Sequence, residues 1–136
     1  MAEQMIIADS NFFIALFRVN DGFHNRAVEI MDDLNGRNEI LVVTTHVVEE
    51  AVTYVFSREG SDRAFDVAQA IVSSENLSIE SVTKQDIVSA AETMRKYKKL
   101  SLSDSLSVGL ARKLGIGQIL SFDSGFDHIQ GIRRVC

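Results

Sequence analysis

Four acidic residues stand where a run of apolar residues ends or where a helix is predicted to begin. Asp9 follows "MIIA", and Asp123 follows "QILSF" near the other end of the chain. Asp104 and either Glu50 or its neighbour Glu49 open two predicted helices, and helical periodicity does not choose between the two glutamates. Two carboxylates about 4 Å apart repel by roughly 4 kcal/mol at an effective dielectric of 20. If these acids converge, the expected chemistry is therefore the binding of a cation among them.

Each of these acids also has a simpler explanation. Asp9 accepts hydrogen bonds readily as a helix cap, and an acid such as Asp104 complements the dipole at a helix start. Asp123 precedes Ser-Gly, which is typical of a turn. The combination is more specific than any single acid, because capping alone does not predict that acids from distant parts of the sequence meet.

Alternating strands and helices are expected to position these residues. Strands are predicted at 5–8, 39–45, 77–82 and 118–123, with 133–136 as a fifth, and helical patterns lie between them. This order predicts an α/β fold with a parallel sheet, whose carboxyl ends line one edge where ligands bind. With no proline, repeat or linker, residues 1–136 are predicted to form one domain.

Three helical segments carry apolar patterns that predict buried faces. The segment "NFFIALF" is expected to pack in the core, and the alternative is an exposed patch for self-association or for a partner helix. The next two predicted stripes are Ala64, Phe65, Ala68, Ile71 and Val72, and then Ile87, Ala90, Ala91 and Met94.

The bulk composition favours an ordinary globular protein that does not coat nucleic acid indiscriminately. The net charge is −5, but it becomes −1 if four acids are metal ligands (−5 + 4), so nucleic acid is not excluded as a partner. The single cysteine, Cys136, allows no internal disulfide, which fits a reducing compartment. Neither a membrane-spanning run nor a signal-peptide pattern is visible, so a cytoplasmic location without membrane association is expected.

Ligands that are all carboxylates suit the hard cations Mg²⁺ or Mn²⁺ rather than zinc. Such ions can activate water, polarise a phosphoryl group and stabilise a leaving oxygen. Hydrolysis of a phosphodiester is the reaction class that needs these three effects from acids alone.

Four motifs in order resemble those of the PIN-domain ribonucleases, the family that includes the VapC-type toxins. The first is "DSN", similar to D-[ST]-N, and the second is "TTHVVEEAV", similar to S/T-x5-E. The third is "LSLSDSLSVGLARKLG", and the last is "ILSFDSGF", similar to L-T-x-D-x-d-F. The resemblance covers nearly the whole chain and implies a PIN-like three-layer α/β/α fold around a central parallel sheet of four or five strands.

The resemblance implies that Asp9, Glu50, Asp104 and Asp123 bind the metal and form the catalytic site. Counting six residues on from Thr44 selects Glu50. Ser10 and Asn11 would support Asp9 by hydrogen bonds. Gly125 stands where the family often has a further acid, so Asp127 and Glu49 remain as additional candidates.

A basic segment, "MRKYKK", precedes the Asp104 region. Its cations, Arg95, Lys96, Lys98 and Lys99, are explained by a solvated helix end, and the functional alternative is contact with RNA phosphates.

The predicted function is therefore that of an Mg²⁺- or Mn²⁺-dependent endoribonuclease, the toxin of a toxin–antitoxin pair. The alternatives are an RNA-processing nuclease without an antitoxin, and a PIN module that binds RNA or protein without cutting. The resemblance further implies an RNA substrate, a homodimer and a small antitoxin protein as partners.

Overall fold

A computed structural model describes residues 4–136, in which five strands and six α-helices alternate along the chain. The strands are β1 (Met5–Ala8), β2 (Ile40–Thr44), β3 (Leu77–Glu80), β4 (Gln118–Leu120) and β5 (Arg133–Val135). The helices are α1 (Ser10–Phe17), α2 (His24–Gly36), α3 (Thr45–Glu59), α4 (Ser61–Ser73), α5 (Lys84–Lys96) and α6 (Leu102–Leu114), with a 3-10 turn at Ser124–Phe126.

All five strands are parallel and lie in the order β3-β2-β1-β4-β5. In the register of the sheet, Ile7 of β1 lies opposite Val42 on one side and Ile119 on the other. The residues that follow β1 and β4 are consequently neighbours, and the backbone N–H of Asp9 donates to the carbonyl of Leu120 at 3.0 Å. The predicted parallel α/β sheet is confirmed, with the fifth strand included.

The sheet separates two apolar layers, because alternate side chains of each strand point to opposite faces. Ile6 and Ala8 pack with α1 to α4, whereas Ile7 packs with α6 and the segment after β4. This is the three-layer α/β/α arrangement. None of the helices in the described range 4–136 is both long and apolar enough to cross a membrane.

The segment "NFFIALF" packs in the core, as its default interpretation predicted. Phe12, Phe13 and Ala15 are buried, and the half-buried Ile14 and Phe17 pack against the same cluster.

The predicted stripes on α4 and α5 were partly wrong. The face of α4 that packs inwards carries Ala64, Val67 and Ile71, while Phe65 is 64% exposed. On α5, Ala90 is the buried residue, and the side chain of Ile87 is exposed. Each of these helices packs mainly on one neighbour, α4 on α3 and α5 on α6, so only a narrow line of each is covered.

Candidate active site

Asp9 is buried where β1 ends, and its carboxylate is held by three donors. The side chain is 3% exposed and caps α1, because Oδ1 accepts from the backbone N–H of Ser10 at 2.9 Å. Oδ2 accepts from Asn11 Nδ2 at 3.1 Å and from Ser121 Oγ at 3.0 Å. Asp9 is therefore a helix cap and also the centre of a polar cluster.

Ser121 links the two strand ends, and the sequence motifs did not lead us to select it. Its fully buried hydroxyl donates to Asp9 and accepts from Asn11 Nδ2 and from the backbone N–H of Asp123, both at 3.0 Å. The available signal was its place two residues before Asp123. Since residues two apart along an extended chain share a face, Ser121 and Asp123 point the same way.

Asn11 ties the start of α1 to the segment that follows β4. Its amide nitrogen bonds Asp9 and Ser121, and its Oδ1 accepts from the backbone N–H of Phe122 at 3.1 Å. Neither strand end can therefore shift without breaking these bonds.

Glu50 lies in the first turns of α3 and faces the Asp9 cluster. That helix begins at Thr44, whose hydroxyl accepts from Val47 N at 3.0 Å. Glu50 accepts a hydrogen bond from the hydroxyl of Ser10, whereas Glu49 points outwards and lies 3.7 Å from His46 Nδ1. The structure thus brings Glu50, and not Glu49, toward the other acids.

Asp104 reaches the site from the start of α6. It forms a reciprocal capping box with Ser101, whose backbone N–H donates to Oδ2 and whose hydroxyl accepts from Asp104 N, both at 3.1 Å. Burial raises the pKa of Asp104, and the charges of Asp123 and Glu50 raise it further, against the opposing effect of the Ser101 hydrogen bonds.

The raised pKa of Asp9 shows most clearly that acidic side chains lie close together at this site. Burial, followed by the charge of Asp104 and to a smaller extent that of Glu50, raises it from 3.8 to about 7, although the bonds from Ser10 and Ser121 oppose the shift. Asp104 in turn feels the charges of Asp123 and Glu50. The four predicted acids are therefore connected through Asp104: it acts on Asp9, and Asp123 and Glu50 act on it.

Asp123 and Asp127 have different surroundings. Asp123 caps the 3-10 turn, accepting from Gly125 N at 2.9 Å, and its charge acts on Asp104. Asp127 lies 2.6 Å from Arg134 Nε, and this hydrogen-bonded guanidinium lowers its pKa. Asp127 is therefore paired with an arginine, which also donates to the carbonyl of Ser121 at 3.3 Å.

The basic segment is exposed at the end of α5 and in the loop before α6. Within residues 4–136, no ion pair involves Arg95, Lys96, Lys98 or Lys99, and Lys96 Nζ lies 5.3 Å from the ring centre of Tyr97. The loop leads directly to the helix start that carries Asp104, as the sequence order predicted.

The donor set fits a hard divalent cation in its chemistry, since every ligand would be a carboxylate oxygen. In the described part of the chain, no three acidic, histidine or cysteine side chains stand ready to hold one ion together. Glu50, Asp104 and Asp123 are each held by a hydrogen bond of their own, from Ser10, Ser101 and Gly125. Binding one ion between them would therefore require these side chains to move toward Asp9.

Comparison with known proteins identifies the family. The model of the PIN domain family matches residues 6–132. Ribonuclease VapC13 of Mycobacterium tuberculosis and a VapC ribonuclease of Mycobacterium bovis are each 29% identical over 134 residues, covering 96% of this chain and 99% of the relative.

Solved structures share the architecture. VapC20 of Mycobacterium tuberculosis, described as a sarcin-ricin loop cleaving toxin, superposes with a TM-score of 0.79 at 27% identity, over 89% of this chain and 92% of that one. A DNA-bound VapBC complex of Salmonella typhimurium contains a chain with a TM-score of 0.72 at 17% identity, covering 98% of both chains, and supports the fold alone.

Proposed function

The chain belongs to the PIN domain family, and we propose that it is an Mg²⁺- or Mn²⁺-dependent endoribonuclease. The observation that carries this proposal is the convergence of Asp9, Glu50, Asp104 and Asp123 at the carboxyl edge of the sheet. There the charges of Asp104 and Glu50 act on Asp9, and those of Asp123 and Glu50 act on Asp104. Two full-length relatives are named as ribonucleases, which supports RNA as the substrate.

The four carboxylates would hold the divalent cation. When bound, that cation supplies the positive charge that polarises the phosphoryl group, favours ionisation of water and stabilises the leaving oxygen. Asp9, with a pKa of about 7, is the acid that most needs this charge, and it would release any proton it carries when the ion binds.

The surrounding hydroxyl and amide groups orient the acids. Ser10 donates to Glu50, and Ser121 donates to Asp9, so each of these hydroxyl hydrogens is already directed at a carboxylate. We assign both serines to positioning and water to the role of nucleophile. No side chain of the protein needs to form a covalent intermediate.

The biological setting that we propose is the toxin of a toxin–antitoxin pair. VapBC complexes are among the solved structures with this fold, and VapC20 is described as a toxin. The expected partners are a small antitoxin protein and a second copy of this chain. Expression alone should arrest bacterial growth, and co-expression of a small protein encoded next to it should restore growth.

Cleavage of labelled, unstructured RNA tests the activity. The protein should cut in Mn²⁺ and stop in EDTA, and Asp104→Asn should lose at least about a hundredfold in rate, because one ligand of the cation loses its charge. Asp66→Asn is the matched control, since this exposed acid lies on α4, away from the cluster. Equal cleavage by Asp104→Asn and Asp66→Asn would refute the proposed site.

A further inference from the structure

Two phenylalanine rings form a parallel stack on the α1–α2 side of the acidic site. Phe23 lies in the turn before α2, and Phe122 follows β4. Their ring centres are 4.5 Å apart, and the ring planes differ by 6°. Phe122 packs in turn near the buried ring of Phe12, at 6.4 Å between centres, so the stack is anchored to the core.

Phe23 is the outer ring of this stack, and one of its faces is exposed to solvent. Phe23 is 52% exposed, as expected of a ring that has one face covered by a parallel neighbour and the other in solvent. Core packing alone does not require such an arrangement, since Phe12 and Phe126 are completely buried in the same molecule.

The turn that carries Phe23 is held in place by hydrogen bonds. The backbone N–H of Phe23 donates to Asp21 Oδ1 at 2.8 Å, and His24 N donates to the carbonyl of Asp21 at 3.0 Å. The ring nitrogen Nδ1 of His24 lies 2.8 Å from the carbonyl oxygen of Ala15. The exposed ring is therefore preorganised, so a ligand that stacks on it loses less entropy in ordering the loop.

The stack adjoins the candidate active site directly. Phe122 lies between Ser121 and Asp123, and its backbone N–H donates to Asn11, which also bonds Asp9. Its Cα atom is thus one peptide unit, about 3.8 Å, from that of Asp123. The Phe122 ring points to the opposite face of this segment from Ser121 and Asp123, so the stack lies beside the carboxyl edge of the sheet, on the side of Phe12.

We propose that the open face of Phe23 stacks on an unpaired base of the RNA substrate, on the α1–α2 side of the acidic site. This inference rests on the proposed ribonuclease function and adds how the substrate is held. Proteins hold single-stranded RNA by stacking bases on aromatic rings, and the contact tolerates any base because each has a π face. The stack would select nucleotides that are free to leave a helix, without selecting a particular base.

The proposal is tested by comparing the affinities of the protein for two fluorescein-labelled decamers. One is an adenosine decamer, and the other has the same charge but lacks all bases. Both are measured in Mg²⁺ by fluorescence anisotropy, with Asp104→Asn in every protein so that the RNA stays intact. The base-containing decamer should bind about tenfold more tightly, and adding Phe23→Leu should remove most of that ratio without changing the binding of the abasic decamer.

Two further variants serve as controls. Phe23→Trp keeps an aromatic face and should preserve the ratio. Phe65→Leu makes the same substitution at a comparably exposed ring on α4 and should preserve it too.

Equal ratios of affinity for the two decamers in Phe23→Leu and Phe65→Leu would overturn the proposal. That result would indicate that the stack contacts a protein and not a base. Weaker binding of both decamers by Phe23→Leu would also overturn the proposal, since that result indicates structural damage. The cleavage assay with the unsubstituted chain reports on ribonuclease function separately. If the unsubstituted chain cuts RNA but the ratio of affinities for the two decamers does not depend on Phe23, only the stacking proposal is refuted. If that ratio depends on Phe23 but no RNA is cut, only the proposed ribonuclease function is refuted.

Discussion

Asp9 and Glu39 are both buried carboxylates, and they lie at opposite edges of the sheet. Asp9 follows β1 and is 3% exposed, whereas Glu39 precedes β2 and is 4% exposed. Glu39 lies 3.4 Å from the guanidinium of Arg37, and its second oxygen has no hydrogen-bond partner among residues 4–136. Asp9 has three donors and other acids around it, and forms no ion pair within residues 4–136.

The difference shows that burial alone does not identify a functional acid. A buried acid next to an arginine, such as Glu39, is already partly neutralised by the fold. Asp9 lies among like charges that raise its pKa to about 7, and this arrangement favours a bound cation.

The largest expected effect is a difference in RNA cleavage between variants of Asp9 and of Glu39. Asp9→Asn should slow RNA cleavage by at least about a hundredfold, because it removes a charge from the proposed metal site. Glu39→Gln should leave the rate within about twofold, as its carboxylate is far from that edge. Initial rates on labelled RNA in Mn²⁺ measure both, and a comparable loss in Glu39→Gln would remove the distinction.

Mn²⁺ should stabilise the folded chain through the site that contains Asp9, and this effect should not depend on Glu39. At a Mn²⁺ concentration of about 100 Kd, binding should add about 2.7 kcal/mol to the free energy of unfolding. Thermal melting should therefore show a rise in Tm for the unsubstituted chain and for Glu39→Gln, and little rise for Asp9→Asn. An equal rise in Asp9→Asn would place the ion elsewhere.

The pH dependence of stability tests the raised pKa of Asp9. Because its pKa is about 7 in the folded chain and 3.8 as the ordinary value, the folded state holds the proton longer. In EDTA, the free energy of unfolding should thus fall as pH rises from about 4 to about 7. Between pH 5 and 8 the decrease due to Asp9 should be about 3 kcal/mol.

Urea unfolding at the two pH values measures this decrease. Asp9→Asn cannot ionise at this position, so its stability should decline less over the same range. Parallel declines for the two proteins would show that Asp9 is not the group responsible.

The smallest expected effect concerns the hydroxyl that orients Asp9. Ser121→Ala should cost about 1 kcal/mol of stability, because Asp9 loses a donor and the backbone N–H of Asp123 loses its acceptor. Cleavage should slow by about tenfold. Ser107→Ala is the matched control, since that serine is equally buried but its hydroxyl has no hydrogen-bond partner in the described part of the chain. A similar loss in both variants would point to packing and not to orientation.

The strands could be predicted because their signals are local. The strand signals gave all five strands, and the predicted range 5–8 has the bounds of β1. The apolar stripes on α4 and α5 could not be placed from periodicity alone, because helical spacing does not say how wide a face the neighbours cover. Phe65 and Ile87 consequently lie in solvent.

The choice between Glu49 and Glu50 shows the same limit at the site. Helical periodicity left both open, and counting along the family motif selected Glu50. In the structure Glu50 accepts from Ser10, while Glu49 lies beside His46. That orientation depends on where α1 packs against α3, which is a long-range contact.

The sequence by itself determined that acids stand at the ends of strands and the starts of helices, because capping and strand termination act over a few residues. Only the tertiary structure decided that they meet, since the parallel sheet places β1 beside β4. Ser121 can therefore donate a hydrogen bond to Asp9, although the two residues are 112 positions apart in the sequence. Burial and mutual repulsion, which raise the pKa of Asp9, likewise exist only once the chain is folded.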